Sequence, residues 1–210
     1  MASLLVAIAA GAKAQDRAQD GRLSPVKPGD QWSYKQFDKA GSRDAAIAHF
    51  KIGWKTKQGE LAVLANYGGL TLGPETLWKM TYVLTPDVCM LDVASGEHLS
   101  PLHPCDLSLA TGTTWESDTS DKLTRTHNRF KVISLEEVHV PAGIYQAFKI
   151  DRVAAVRVTA NPDLGERYVH TIYWFAPEIR GMAKIVRESP DPGDISSSRV
   201  IEELQSTTIK

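Results

Sequence analysis

From Thr124 to Val132 the chain alternates strictly, with Thr124, Thr126, Asn128, Phe130 and Val132 interleaved with Arg125, His127, Arg129 and Lys131. A period of two puts these sets on opposite faces of an extended strand, so the segment belongs in a sheet with one covered face and one wet face. The wet set is basic and reads as a solvated surface. The same period recurs in Ala48, Phe50, Ile52 and Trp54, opposite Ile47, His49, Lys51 and Gly53. Short stretches rich in aromatic and branched residues, at 30–37, 47–56, 61–66, 78–85 and 88–93, also read as strands. The expected fold is all-β, an antiparallel meander forming a β-roll or an open barrel-like single domain. No internal repeat or long amphipathic helix is evident.

The second half of the chain continues the pattern. Val140-Pro141-Ala142-Gly143 is a turn, because proline presets one backbone angle and glycine tolerates a positive one. In Tyr145 to Thr159 the apolar phase set by Phe148 and Ile150 breaks before Val153, which predicts a bulge near Arg152 to Ala155. Tyr168 to Phe175 is apolar or aromatic on both faces and is expected to be a central, covered strand. A turn at Ala176-Pro177-Glu178 leads into Met182 to Glu188, and a final strand is expected around Arg199 to Gln205.

The N-terminus points to export. Ala2 to Gly11 form a short apolar run, and Ala12-Lys13-Ala14 is an A-x-A cleavage pattern, so residues 1–14 read as a signal peptide cleaved near Ala14. The run is shorter than the roughly 20 residues that a membrane-spanning helix needs. No cysteine follows it to accept a lipid. Residues 15–28 are expected to be a flexible mature N-terminus and 29–210 the single β domain. The formal charge of −1 becomes −2 when Lys13 leaves with the signal. A near-neutral chain without a basic block has no footprint for nucleic acid. The expected location is periplasmic or secreted.

Several motifs together resemble an uncharacterised family of exported bacterial proteins. They are Gly29-Asp30-Gln31-Trp32-Ser33-Tyr34, the segment from Leu107 ending Gly112-Thr113-Thr114-Trp115, Val140-Pro141-Ala142-Gly143-Ile144-Tyr145-Gln146-Ala147-Phe148-Lys149-Ile150, and Tyr173-Trp174-Phe175-Ala176-Pro177-Glu178-Ile179-Arg180. The resemblance implies an antiparallel β-roll or barrel-like fold and carries no activity over to any residue. The segment Val88 to Cys105 lies outside it.

That segment holds both cysteines. Cys89 and Cys105 are an even pair in a chain expected in an oxidising compartment, so a disulfide is the simplest reading. A Cys89/His98/His103/Cys105 metal site uses acceptable ligand types at an unfamiliar spacing, and no cofactor is expected. Asp87, Asp92, Glu97 and Asp106 read as solvated acids or, in a hydrolase of envelope polymers, as a carboxylate pair. His127, His139 and His170 fall in expected strands and read as satisfied or exposed histidines. No serine elbow, phosphate loop or dinucleotide fingerprint appears. Trp32, Trp54, Tyr67, Trp78 and Trp115 are the candidate ligand-binding aromatics, either core or the lining of an opening with a flexible lip at 67–74. The leading expectation is a non-enzymatic exported protein binding a lipid or glycan, or an envelope partner protein. The alternative is the hydrolase.

Overall fold

The computed structural model of the protein describes residues 23–38, 47–67, 79–84, 88–91, 101–104, 108–120, 123–159, 161, 163, 165–189 and 198–210. Its strands are β1 (Gln31–Asp38), β2 (Ile47–Lys55), β3 (Leu61–Tyr67), β4 (Lys79–Leu84), β5 (Val88–Leu91), β6 (Pro101–Pro104), β7 (Thr114–Ser120), β8 (Thr124–Val140), β9 (Gly143–Val158), β10 (Glu166–Ala176), β11 (Gly181–Ser189) and β12 (Ser198–Thr208). Ten of them form one sheet in the order β4-β3-β2-β1-β12-β11-β10-β9-β8-β7, while β5 and β6 pair separately. The fold is therefore the expected all-β antiparallel meander, and it is open: β4 and β7 end the ladder without meeting. Among the described residues no helix is long and apolar enough to cross a membrane.

Two strands were not legible. The segment that forms β7, Thr-Trp-Glu-Ser-Asp-Thr-Ser, has one large apolar residue, and β6 begins and ends with proline. β8 also runs on to Val140, past the end of the clean alternation. One extra residue, Ile133, enters its ladder with β9 between Val132 and Ser134. This corrects the bulge expected near Arg152 to Ala155: β9 pairs there without a shift on both sides. The apparent phase break is Arg152 itself, a charged residue on the covered face. Its guanidinium donates to Asn128 Oδ1 at 2.9 and 2.7 Å and to the Tyr173 hydroxyl at 2.9 Å. A hydrogen-bonded charge can occupy a face that pattern reading reserves for apolar side chains.

The core lies on that face. Trp32, Tyr34, Phe50, Ile52, Ile150, Tyr173, Phe175 and Met182 are buried, joined by Val26 from the segment before β1. Full burial of side chains of this size is worth about 1.5–3 kcal/mol each. The Pro141–Ala142 turn closes onto this core, with the Ala142 N–H donating to Leu204 O of β12 at 3.1 Å. Gly143, at φ +144°, supplies the positive angle that the turn requires.

The first and last motifs of the family resemblance meet in space. Asp30 is fully buried, and its carboxylate accepts from the Lys27 N–H at 2.8 Å and the Lys210 N–H at 3.0 Å. It also accepts from both Nε and Nη2 of Arg180, the residue that ends the 3-10 turn Pro177–Ile179 in a left-handed conformation. The same Nη2 donates to Lys210 O at 2.7 Å. Two residues on, the Trp32 indole donates to Ile179 O at 2.9 Å, and the Tyr34 hydroxyl donates to Met182 O at 2.8 Å. Thus Asp30, Trp32 and Tyr34 each grip the turn between β10 and β11, although β12 lies between β1 and β11. Gly181 permits the approach, since a Cβ there would sit 2.5 Å from Trp32 Nε1.

Removing one partner of a buried pair strands the other charge, which typically costs 3–5 kcal/mol. We predict that Arg180→Ala lowers unfolding free energy in urea by about that much, and Asp30→Ala with Arg180→Ala together by less than the sum of the two. Gly181→Ala should cost about 1–3 kcal/mol through overpacking. Losses under about 1 kcal/mol for all three would refute the clasp.

Candidate functional site

Residues directly opposite on neighbouring strands share a face, so the register of β7–β10 writes out the surface opposite the core. One row across these strands is Ser120, Arg125, Arg157 and Glu166. The next is Asp118, His127, Ala155 and Tyr168, followed by Glu116, Arg129, Val153 and His170. Rows on one face stand two residues apart, roughly 7 Å. Ala155 is the smallest member of this surface and leaves a depression between His127 and Tyr168. Asp118, Ser120, Arg125, His127, Ala155, Arg157 and Glu166 line a groove of about 520 Å³ there. Farther along β8 a second groove, of about 660 Å³, is lined by Trp115, Glu116, Arg129, Lys131, Asp151 and Val153 among others. Volumes of this order suit a small ligand or a short stretch of polymer.

The polar groups around the first groove are held in place. His127 meets Asp118 through Nδ1 at 2.9 Å and Glu116 through Nε2 at 3.8 Å. Arg157 Nη2 lies 3.8 Å from Glu166 Oε2, and the Tyr168 hydroxyl donates to Glu166 Oε1 at 2.6 Å. That bond, with the Glu166 charge, pushes the Tyr168 phenol above its ordinary value. Tyr168 is 51% exposed. The expectation of a covered strand from Tyr168 to Phe175 is corrected here: β10 is interior to the sheet, but Glu166, Arg167 and Tyr168 stand in solvent and coverage begins farther along. His170 sits beside Asp151, with Glu188 4.0 Å away. His139 pairs with Glu137 at 2.7 Å on an exposed stretch of β8. On the basic face of β8, His127 is thus met by carboxylates of β7, while the carboxylates Asp151 of β9 and Glu166 of β10 pair between those two strands.

The structure separates the candidate aromatics. Trp32 is 2% exposed in the core, Trp54 is 54% exposed at the end of β2, and Trp115 stacks on Phe130 with centroids 4.8 Å apart. Tyr67 ends β3, whereas Trp78 and positions 68–74 lie outside the described residues. Cys89 lies in β5, and Cys105 lies outside the described residues, as do Asp87, Asp92, Glu97, His98 and Asp106. Among the described residues no group of three or more His, Cys, Asp or Glu could hold a metal ion. Sequence reasoning missed Tyr168 and Ala155. The available signal was the Ala154-Ala155 pair inside a strand of mostly large residues.

No family model and no curated protein matches the chain. Among solved structures, it is similar to a Parabacteroides distasonis protein described as a lipoprotein, at 13% identity and a TM-score of 0.47, covering 90% of this chain and 98% of that one. It is similar to a Bacteroides fragilis protein described as exported with a YmcC-like fold, at 11% identity and a TM-score of 0.44, covering 89% and 99%. The hypothetical lipoprotein YmcC of Escherichia coli matches at 9% identity and a TM-score of 0.37, over 99% and 100%. Similarity at this level assigns neither an activity nor a ligand.

Nearer the middle of the sheet the same face carries Glu136, Lys149 and Trp174. The Trp174 indole donates to Glu136 Oε1 at 2.7 Å and the Ser134 hydroxyl to Oε2 at 2.8 Å, with Lys149 Nζ 3.7 Å away. The indole bond above all, aided by Ser134 and Lys149, holds the Glu136 carboxyl below its usual 4.5 against some desolvation. A depressed folded value means that stability is present in full above about pH 4.5 and is lost as pH falls through the lower folded value. Glu136→Gln, which keeps an acceptor for Trp174, should flatten the acid limb of the stability–pH profile measured by urea unfolding. An unchanged limb would remove Glu136 from it.

Proposed function

We propose that the protein is an exported, non-enzymatic binding protein of the bacterial envelope, and that the groove around Ala155 takes a glycan. The observation that carries this reading is the pairing of the half-exposed Tyr168 ring with a small-residue gap bordered by Asp118, His127, Arg125, Arg157 and Glu166. Sugars present apolar ring faces beside dense hydroxyls. An exposed aromatic face covers the first, and fixed carboxylates, guanidiniums and imidazoles pair with the second. A lipid tail would need a dry lining, and every residue lining this groove except Ala155 carries a polar side chain. Export is supported by the apolar run and A-x-A pattern at the N-terminus.

An oxidising compartment also favours a Cys89–Cys105 disulfide. The chain on either side of residues 92–100 pairs as β5 and β6, which holds the ends of that loop together. Thiol labelling of denatured, unreduced protein should find no free thiol, and reduction should lower the melting temperature, by the equivalent of about 3 kcal/mol for a loop of this size. Two labelled thiols in protein purified from the envelope would rule the disulfide out.

For the glycan reading, calorimetric titration with a soluble N-acetylglucosamine tetramer, a neutral stand-in for an envelope glycan strand, is expected to give saturable binding. Tyr168→Ala should weaken it at least tenfold, equivalent to about 1.4 kcal/mol, while Trp54→Ala leaves it unchanged. Absence of binding by this tetramer and by acidic saccharides alike would sink the reading.

A further inference from the structure

We infer that the Arg125–Arg157 end of the groove is a subsite for an anionic substituent on the glycan, a carboxylate or phosphate group, and that it makes the protein prefer acidic saccharides to neutral ones. The inference rests on the groove being the ligand site. Arg125 of β8 and Arg157 of β9 are direct register partners. That places their Cβ atoms roughly 5 Å apart on one face, where like charges oppose each other and destabilise the pair.

The rest of their row supplies Ser120 on β7 and the single carboxylate of Glu166 on β10. Glu166 is divided between Arg157 at 3.8 Å and the Tyr168 hydroxyl at 2.6 Å. Of the two guanidiniums it is Arg157 that meets this carboxylate, which is the only one in the row and is already engaged. The neighbouring row differs, since His127 stands between Asp118 and Glu116. The positive surplus is local to one end of the groove, in a chain whose overall charge is −1.

Both arginines line the groove together with Ala155, whose register partner on β10 is Tyr168. Guanidinium forks match the paired oxygens of carboxylate and phosphate, and such charge-assisted bonds are about twice as strong as neutral ones. An anion between Arg125 and Arg157 would replace a repulsion with two attractions. A neutral sugar in the same place would leave the repulsion standing.

The test compares three probes on the full mature protein at one ionic strength: the neutral N-acetylglucosamine tetramer, a galacturonate tetramer and glucosamine 6-phosphate. The galacturonate tetramer should bind at least tenfold more tightly than the neutral tetramer, and more weakly as salt rises. Arg125→Gln and Arg157→Gln should each lower affinity for the galacturonate tetramer several-fold more than for the neutral tetramer, and so remove most of that preference. The melting temperature of Arg125→Gln should not fall, because it relieves a like-charge contact, whereas Arg157→Gln also gives up its contact with Glu166. Glucosamine 6-phosphate should compete with galacturonate if the subsite accepts phosphate, and failure to compete would identify it as a carboxylate subsite. Equal affinity for neutral and acidic tetramers, unchanged by either substitution, would overturn the subsite and leave the groove intact. Failure of every saccharide to bind would overturn both.

Discussion

The buried carboxylate of Asp30 is the point on which the architecture turns. A fully desolvated acid is stable only where donors surround it, and here they come from three separate parts of the chain: Lys27 beside it, Arg180 after β10, and Lys210 at the far end. A meander whose first strand pairs with its last has to bring those parts together. Trp32 and Tyr34 extend the clasp along β1 by bonding to carbonyls of the β10–β11 turn and of the start of β11, which lie beyond the intervening β12. This gives a physical account of why Gly-Asp-x-Trp-x-Tyr and Ala-Pro-Glu-Ile-Arg occur in one chain.

Because the clasp engages Trp32, Tyr34 and Arg180, one of the candidate ligand-binding aromatics, Trp32, is held in the core. The recognition chemistry proposed above lies on the opposite face, where β7–β10 present register-matched rows of charged side chains. That face keeps its polar groups oriented through short bonds between neighbours, such as His127 with Asp118 and Tyr168 with Glu166. Preorganised polar groups around an accessible ring limit the ordering cost of binding a flexible saccharide.

Much of the fold was legible because sheet residues alternate and turns carry proline and glycine. The Thr124 to Val132 strand, the Pro141 turn and the Pro177 turn all follow from local chemistry. What escaped had non-local causes. Arg152 imitates a break in phase because its partners, Asn128 and Tyr173, belong to other strands. β7 lacks apolar alternation because it closes one end of the ladder. The basic face of β8 was visible, but its meaning was not. Whether Arg125 meets a carboxylate or another arginine depends on a register that one strand's sequence does not encode, and the same holds for the Ala155 gap beside Tyr168.

Chemical-shift mapping of backbone amides during titration with a galacturonate tetramer tests the central claim, that recognition sits on the β7–β10 face while the signature motifs hold the fold. The account predicts saturable shifts concentrated at Asp118, Arg125, His127, Ala155, Arg157 and Tyr168, with Asp30, Trp32, Tyr34 and Arg180 unmoved. Shifts centred on Asp30, Trp32 and Arg180 instead, with the Ala155 surroundings silent, would contradict it.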